Sequence, residues 1–174
     1  IVTPAGGNVF LIAPQVENKG IIRAPSGEIV LSAGTTVRFI DANFPSIQVE
    51  VTASAGKDLP LGNLGSAAAG KVFAFVVKQS GVVSASAASI ADGGKVVLRS
   101  AGEVQLAAGS RTEAVGAAVG GTVEVEAPRV LVAHAGSIDV SGASGGGRVA
   151  ILGENVLFAG TIDAAGSFGG IYQS

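Results

Sequence analysis

The chain has 174 residues, which is the size of about one domain. Hydrophobic residues fill 48% of the positions and charged residues only 14%, and the formal net charge is −2. This composition excludes a disordered acidic segment and a basic nucleic-acid-binding protein. The longest apolar runs, such as Val72 to Val77, are far shorter than the roughly 20 residues of a membrane-spanning helix. Cysteine is absent, which excludes disulfides, thiolate metal sites and cysteine nucleophiles.

A repeated pattern runs along the chain: a glycine followed by a short run rich in β-branched residues. The glycines that open these runs are Gly7, Gly27, Gly70, Gly94, Gly121, Gly147 and Gly170. Their successive spacings are 20, 43, 24, 27, 26 and 23 residues, so all but one lie near two dozen. Two further short runs, separated by Gly, Asn, Pro or Ser, follow in each unit. Each unit therefore predicts three short strands with tight corners.

Three strands in about two dozen residues are what one coil of a parallel β-solenoid requires, because each coil returns to its start displaced by one strand spacing. Helical repeats of the ankyrin and tetratricopeptide type fit badly, since no stretch sustains a helical period. Leucine-rich repeats need a regular Leu and Asn pattern, which the chain lacks. The sequence therefore predicts an all-β fold, a parallel β-helix of about six to seven coils.

Alignment of the units predicts which side chains fill the interior. For the first strand of each coil, one column is Val9, Ile29, Val72, Val96, Val123 and Val149, and the other is Leu11, Leu31, Ala74, Leu98, Val125 and Ile151. The second strand gives Val16, Val37, Val104, Val130 and Val156, and the third gives Ile22, Val83, Ile138 and Ile162. Side chains two residues apart share one face of a strand, so both columns of the first strand point inward.

The unit from Gly27 to Gly70 is longer than its neighbours by about twenty residues. We expect this excess to be an insertion outside the β-helix at residues 41–69. Within it, Ile47, Val49 and Val51 alternate with polar residues, which predicts a strand or hairpin with one apolar face.

The outward side of the first strand is unusually apolar for a solvent face, which makes it a candidate binding surface. Its candidate ligand-binding residues are Phe10, Phe73 and Phe75, accompanied by Ile12 and Val30. Two interpretations stay open. In one, the insertion folds over this surface; in the other, the surface binds a partner or another module of the same protein.

Two motifs that could carry chemistry are better explained as parts of corners. Residues 142–146 match the nucleophile-elbow pattern G-x-S-x-G, but that motif requires a strand-to-helix turn and a downstream histidine. The single histidine, His134, precedes the motif, and it excludes a metal site built from several histidines. We expect Ser144 in a glycine-rich corner and His134 as a packed or corner residue.

Carboxylates could serve as an acid and base pair, because some parallel β-helices cleave polysaccharides. Glu124 and Glu126 share an outward face about 7 Å apart along one strand. The predicted register also sets Arg99 beside Glu126, and a cross-strand ion pair explains these residues without a substrate. Asp139 and Asp163 occupy matching outward positions, either as a weak Ca²⁺ site or as corner residues that accept backbone hydrogen bonds.

No catalytic residue, metal site or cofactor is predicted from these patterns. The basic residues are scattered and outnumbered by acids, so no nucleic-acid partner is expected. Since the chain begins at Ile1 rather than Met, we interpret residues 1–174 as a single β-helix segment of a longer protein.

Several stretches resemble the β-helical stalk of bacterial two-partner secretion exoproteins of the filamentous haemagglutinin type. They are GGNVFLIAPQVENKGIIRAPSGEIVLSAGTTVRF, GVVSASAAS, GSIDVSGASGGGRVAILG and GTIDAAGS, and the similarity covers nearly the whole chain. The Asn-Pro-Asn-Gly motifs of the family's amino-terminal secretion domain are absent, so the resemblance places the chain after that domain or in its terminal portion. The resemblance implies a right-handed parallel β-helix.

The same resemblance implies a function at the bacterial surface. We expect export through an outer-membrane two-partner secretion transporter of a Gram-negative cell. The chain would then be a secreted or cell-surface adhesin segment, with a host-cell glycan or protein, or a biofilm polysaccharide, as its partner. Two alternatives stay open, a polysaccharide lyase or hydrolase and the inert stalk of a contact-dependent toxin carrier.

Overall fold

The structure is a computed structural model that describes residues 1–34, 36–40, 48–52, 76–87, 92–166 and 171–173. All regular secondary structure in these residues is β-strand. No helix in the described part of the chain is long and apolar enough to cross a membrane. In chain order the strands are β1 (Val9–Ala13), β2 (Gln15–Asn18), β3 (Ile21–Arg23), β4 (Glu28–Ala33), β5 (Thr36–Ile40), β6 (Gln48–Thr52), β7 (Val76–Gln79), β8 (Val82–Ser84), β9 (Lys95–Ser100), β10 (Glu103–Leu106), β11 (Arg111–Glu113), β12 (Thr122–Glu126), β13 (Arg129–Val132), β14 (Ser137–Asp139), β15 (Arg148–Leu152), β16 (Asn155–Phe158), β17 (Thr161–Asp163) and β18 (Ile171–Gln173).

Three parallel sheets contain all of these strands except β5 and β6. The first sheet has the order β1-β4-β9-β12-β15-β18, the second β2-β7-β10-β13-β16 and the third β3-β8-β11-β14-β17. Apart from the segment between β4 and β7, the chain visits the sheets in rotation, and each strand stacks beside the strand one turn earlier. The prediction of an all-β chain is confirmed, and the stacking is consistent with a parallel β-helix.

The interior consists of the predicted aliphatic columns. In the first sheet Val9 lies opposite Ile29, and Val123 lies opposite both Val96 and Val149. The buried hydrophobic cluster includes Val9, Ile22, Ile29, Leu31, Val83, Val96, Leu98, Val104, Val123, Val125, Val130, Ile138 and Val149. Stacking of like side chains at strand spacing lets small aliphatics fill the interior, which explains how so few aromatic residues suffice.

The predicted place of Val72 in the first column is wrong. Ile29 on β4 pairs directly with Val96 on β9, so no strand lies between them. Val72 and Ala74 themselves lie outside the described residues. The run that begins at Gly70 leads into β7, which belongs to the second sheet. A glycine followed by β-branched residues predicts a strand but does not show which sheet receives it.

The predicted place of Val37 in the second column is wrong as well. Val37 lies on β5, opposite Val51 in an antiparallel pair with β6. Its predicted place is taken by Val77, which stacks between Val16 and Val104.

A strand, β6, lies at residues where the sequence predicted a strand or hairpin, and it pairs antiparallel with β5, which precedes the predicted insertion. It forms a separate two-stranded sheet in the segment that joins β4 to β7. The apolar face predicted for Ile47, Val49 and Val51 lies outside the described side chains. The boundaries of the insertion, residues 41–69, stay a prediction.

Two stacked side chains inside the β-sheets, Asn18 and Gln79, form a hydrogen-bonded polar ladder that satisfies their buried side-chain amides. Asn18 Nδ2 donates to Gln79 Oε1 at 2.8 Å, and Gln79 Nε2 donates to the carbonyl oxygens of Gly81 and Arg111 at 3.1 Å each. Both side chains are buried, and Leu106 takes the next position in the column. Because a buried amide without partners is costly, this ladder fixes β7 beside β2.

Glycines at the corner between the third and first sheets let neighbouring coils approach closely. A Cβ atom on Gly147 would overlap the carbonyl oxygen of Gly121, and one on Gly121 would overlap that of Gly94. The amide of Arg148 then donates to the Gly121 carbonyl at 2.9 Å. Close backbone contact therefore requires glycine at Gly27, Gly94, Gly121 and Gly147.

We expect Gly147→Ala to destabilise the fold by about 3 kcal/mol, because the new methyl group meets rigid backbone. Gly145→Ala is the matched control, since nothing lies within 4 Å of its added Cβ. It should change stability by less than about 0.5 kcal/mol. Urea unfolding followed by circular dichroism measures both, and equal stability of the two variants would contradict the close-contact explanation.

Candidate binding surface

The outward face of the first sheet changes from apolar to charged along the stack. Strand alternation places every second side chain on this face, opposite the interior columns. The outward side chains are Phe10 and Ile12 on β1; Glu28, Val30 and Ser32 on β4; Lys95, Val97 and Arg99 on β9; Thr122, Glu124 and Glu126 on β12; and Arg148, Ala150 and Leu152 on β15. We call this set the outer face of the first sheet.

The apolar part of the outer face is partly covered. Phe10 and Ile12 are half-buried, and Val30 is fully buried. β6 of the hairpin comes within 8 Å of β4 between Cα atoms, which fits the interpretation that the insertion folds over this face. Phe73 and Phe75 lie outside the described residues, and their role in binding stays a prediction.

Glu28 is a buried carboxylate on this covered part of the outer face. It is only 6% exposed, and neither of its carboxylate oxygens has a hydrogen-bond partner among the residues that the structure describes. Burial raises the pKa of Glu28 above its ordinary value, and the negative charge of Glu124 acts in the same direction, whereas Lys95 opposes the rise. Ionisation of Glu28 is therefore less favourable in the folded chain than in water.

Two cross-strand ion pairs define the charged part of the outer face. Lys95 Nζ lies 3.2 Å from Glu124 Oε2, and Arg99 Nη2 lies 2.6 Å from Glu126 Oε2. Arg99 and Glu126 are directly opposite in register, as the sequence predicted. Each carboxylate considered for acid–base chemistry is thus held by a cation, an arrangement that stabilises the sheet without a substrate.

The acidic pair on the third sheet consists of corner residues. Asp139 and Asp163 stack in register, and Ser84 occupies the same column. Asp139 Oδ1 accepts hydrogen bonds from the Ser141 amide at 2.9 Å and the Ser141 hydroxyl at 2.7 Å. Asp163 Oδ1 accepts from the Ala165 amide at 2.9 Å. The described residues contain no cluster of three or more side chains suited to a metal ion.

The elbow-like motif and the histidine lie in corners, as expected. Residues 142–146 connect β14 to β15, so a strand rather than a helix follows Ser144. The Ser144 amide donates to the Ala118 carbonyl of the preceding coil at 2.8 Å, which ties the motif into the stack. His134 is exposed in the turn between β13 and β14.

Sequence reasoning did not single out Glu28. The residue directly follows a repeat glycine, and Lys95 holds the same place in the next coil. Comparing the residues that directly precede Ile29 and Val96, the first inward-facing residues of β4 and β9, would have identified Glu28 and Lys95 as a stacked pair of opposite charge.

Comparison with protein-family models finds none that matches the chain. Comparison with curated proteins finds no match either. The resemblance to two-partner secretion exoproteins therefore stays a prediction.

We expect Glu28→Gln to stabilise the protein at pH 7 by roughly 1 kcal/mol, because it removes a buried ionisable group whose oxygens have no hydrogen-bond partner among the described residues. Since the folded state raises the pKa of Glu28, the folded state binds more protons than the unfolded state as the pH rises above 4.5. The stability of the native chain should therefore fall over that range, whereas the variant lacks this contribution. At pH 4 the two should unfold at nearly the same urea concentration.

Glu154→Gln is the control, since Glu154 is an exposed carboxyl between β15 and β16. It should leave the difference in stability between pH 4 and pH 7 as in the native chain. A Glu28→Gln variant that is less stable than the native chain at pH 7 would mean that the carboxylate has a stabilising partner, and our interpretation would be wrong.

Proposed function

We propose that the chain is a stalk segment of a secreted or cell-surface adhesin of a bacterial two-partner secretion system, which supports attachment to cells, glycans or matrix. The observation that supports it most is the uniform register of the three sheets, in which residue stacks on equivalent residue from coil to coil. Such a stack is a repeat architecture in which each unit contacts its neighbours, and it offers long lateral surfaces.

We further propose that the stack is a right-handed β-helix. The described strands form five successive sets of three, and β18 follows in the first sheet. The reassignment of β7 to the second sheet favours the lower end of the expected six to seven coils. Right-handedness is supported by the general preference of parallel crossover connections.

Two features favour attachment over polysaccharide cleavage as the role of this surface. Glu124 and Glu126, the residues considered for acid–base chemistry, are engaged by Lys95 and Arg99. Phe10 is half-buried on the same face, and one strand, β4, separates it from the charged side chains of β9. A surface with apolar and paired polar groups suits recognition of a glycan or protein.

The test is binding of the purified chain to a glycan array and to cultured cells. We expect the native chain to bind, and the double variant Phe73→Ser and Phe75→Ser to bind about tenfold more weakly, the effect of losing roughly 1.4 kcal/mol of apolar contact. Leu157→Ser is the matched control, because Leu157 is 64% exposed on β16, which β13 and β10 separate from β7 in the second sheet.

Circular dichroism and thermal unfolding confirm that each variant is folded. Absence of binding by the native chain would overturn the attachment role. Equal binding by the native chain and the folded phenylalanine variant would show that attachment uses a surface other than Phe73 and Phe75.

A further inference from the structure

Lys95 lies between two carboxylates on the outer face of the first sheet. It belongs to β9, and the neighbouring strands β4 and β12 carry Glu28 and Glu124. Glu28 is directly opposite Lys95 in register. On the other side, Lys95 Nζ lies 3.2 Å from Glu124 Oε2. Neither oxygen of Glu28 has a hydrogen-bond partner among the described residues, so the lysine engages one carboxylate while the other lies one strand away without such a contact.

The two carboxylates differ in their exposure to solvent. The Glu124 side chain is 29% exposed and that of Lys95 is 35% exposed, whereas Glu28 is only 6% exposed. Water screens the charge of Glu124, so its ion pair with Lys95 contributes little stability. A protonated carboxyl tolerates the buried place of Glu28, but an ionised carboxylate there requires a cation. The pairing of Lys95 with Glu124 therefore corresponds to a protonated Glu28.

Lys95 is the cation that faces Glu28 most directly. β1 contributes no ionisable side chain, and the Glu28 amide donates to Asn8 Oδ1 just before that strand at 2.9 Å. On the other strands that approach β4, the further charged residues are Arg99 on β9, Glu50 on β6, Glu17 on β2 and Lys78 on β7. Arg99 pairs with Glu126 on β12, Lys78 pairs with Glu17 on the outer side of the second sheet, and Glu50 lies opposite Arg38 in backbone register.

The lysine side chain is long enough to reach either carboxylate. Neighbouring strands are about 4.8 Å apart, and a flexible stem carries the ammonium group. Attraction between opposite charges grows as the surroundings exclude water. An ionised Glu28 therefore attracts Lys95 more strongly than the partly exposed Glu124 does.

We propose that Lys95 is a proton-controlled switch: it pairs with Glu124 while Glu28 is protonated, and it moves to Glu28 when Glu28 ionises. The Glu28 proton goes to solvent, and the charged part of the outer face then presents a carboxylate at Glu124 without its cation. A cationic group of a partner would bind Glu124 only in this second state. The inference concerns the charge of the outer face and does not depend on the proposed attachment role.

The switch operates above the ordinary pKa of a glutamate. Burial raises the pKa of Glu28 from 4.5; Lys95 opposes the rise, and Glu124 adds to it. The folded chain therefore keeps the Glu28 proton to a higher pH than the unfolded chain does. The stability linked to this proton is present at low pH and is lost as the pH rises through the pKa of Glu28 in the folded state.

NMR of the isotope-labelled 174-residue chain between pH 4 and pH 9 tests the switch. The Glu28 carboxyl carbon reports ionisation. Nuclear Overhauser effects from the Lys95 ε-methylene to the γ-methylenes of Glu28 and Glu124 report which carboxylate the lysine contacts. We expect the Glu124 contact to be the stronger one below the midpoint of the Glu28 titration and the Glu28 contact above it. The Arg99–Glu126 pair on the same two strands is the internal control and should not change at that midpoint.

Two variants separate an exchange of partners from a fixed ion pair. In Glu28→Gln, Lys95 should stay beside Glu124 over the whole range, because the buried group no longer ionises. In Lys95→Met, the midpoint of the Glu28 titration should rise by about 1 pH unit or more, because the nearest cation is absent. Glu113→Gln is the matched control: this carboxylate pairs with Arg111 on the third sheet, and its loss should leave the Glu28 midpoint and the Lys95 contacts as in the native chain.

Four outcomes would contradict the switch. A Lys95 that stays beside Glu124 while Glu28 ionises would overturn it, as would an exchange that persists in Glu28→Gln. An unchanged Glu28 midpoint in Lys95→Met, or a Glu28 that does not titrate above pH 4.5, would overturn it as well. The native titration alone tests the exchange if a variant does not fold.

Discussion

Register between stacked parallel strands is the constraint on which the rest of the molecule depends. Every coil must place its side chains over those of the coil before it, at the roughly 4.8 Å spacing of hydrogen-bonded strands. Aliphatic columns such as Val96, Val123 and Val149 satisfy this inside the stack. At the corners the backbones themselves come into contact, and glycine is the residue that permits it, as at Gly147.

The same register governs the outer surface. It sets Arg99 opposite Glu126 and lets Lys95 reach Glu124, so the charges of adjacent coils neutralise one another. Glu28 departs from this pattern, although Lys95 lies directly opposite in register. Its carboxylate is buried and has no hydrogen-bond partner among the described residues. Register therefore determines which residues lie opposite one another, but it does not determine which of them are exposed.

The periodicity of the sequence predicts those structural features that the register between stacked strands determines. The three-strand coil, most interior columns and the Arg99–Glu126 pair follow from spacing, because one coil constrains the next. The sheet that receives β7 could not be predicted in this way, since the run after Gly70 satisfies the first-strand pattern equally well. The contact that marks β7 as a second-sheet strand is the hydrogen bond from Asn18 on β2 to Gln79, two residues far apart in the sequence. The burial of Val30 is likewise a property of packing between distant segments.

Binding in such an architecture is expected where register is interrupted. Along the faces, the backbone groups form hydrogen bonds with neighbouring strands. The charged side chains Lys95 and Arg99 on β9 form ion pairs with Glu124 and Glu126 on β12. A partner at these paired charges would have to displace existing contacts, so the attachment proposed for the outer face depends on its apolar side chains. The hairpin of β5 and β6 interrupts the repeat between β4 and β7, and β4 carries the buried carboxylate of Glu28. Neither oxygen of that carboxylate has a hydrogen-bond partner among the described residues, so this strand, unlike β9 and β12, leaves a charged group without a pairing contact of that kind.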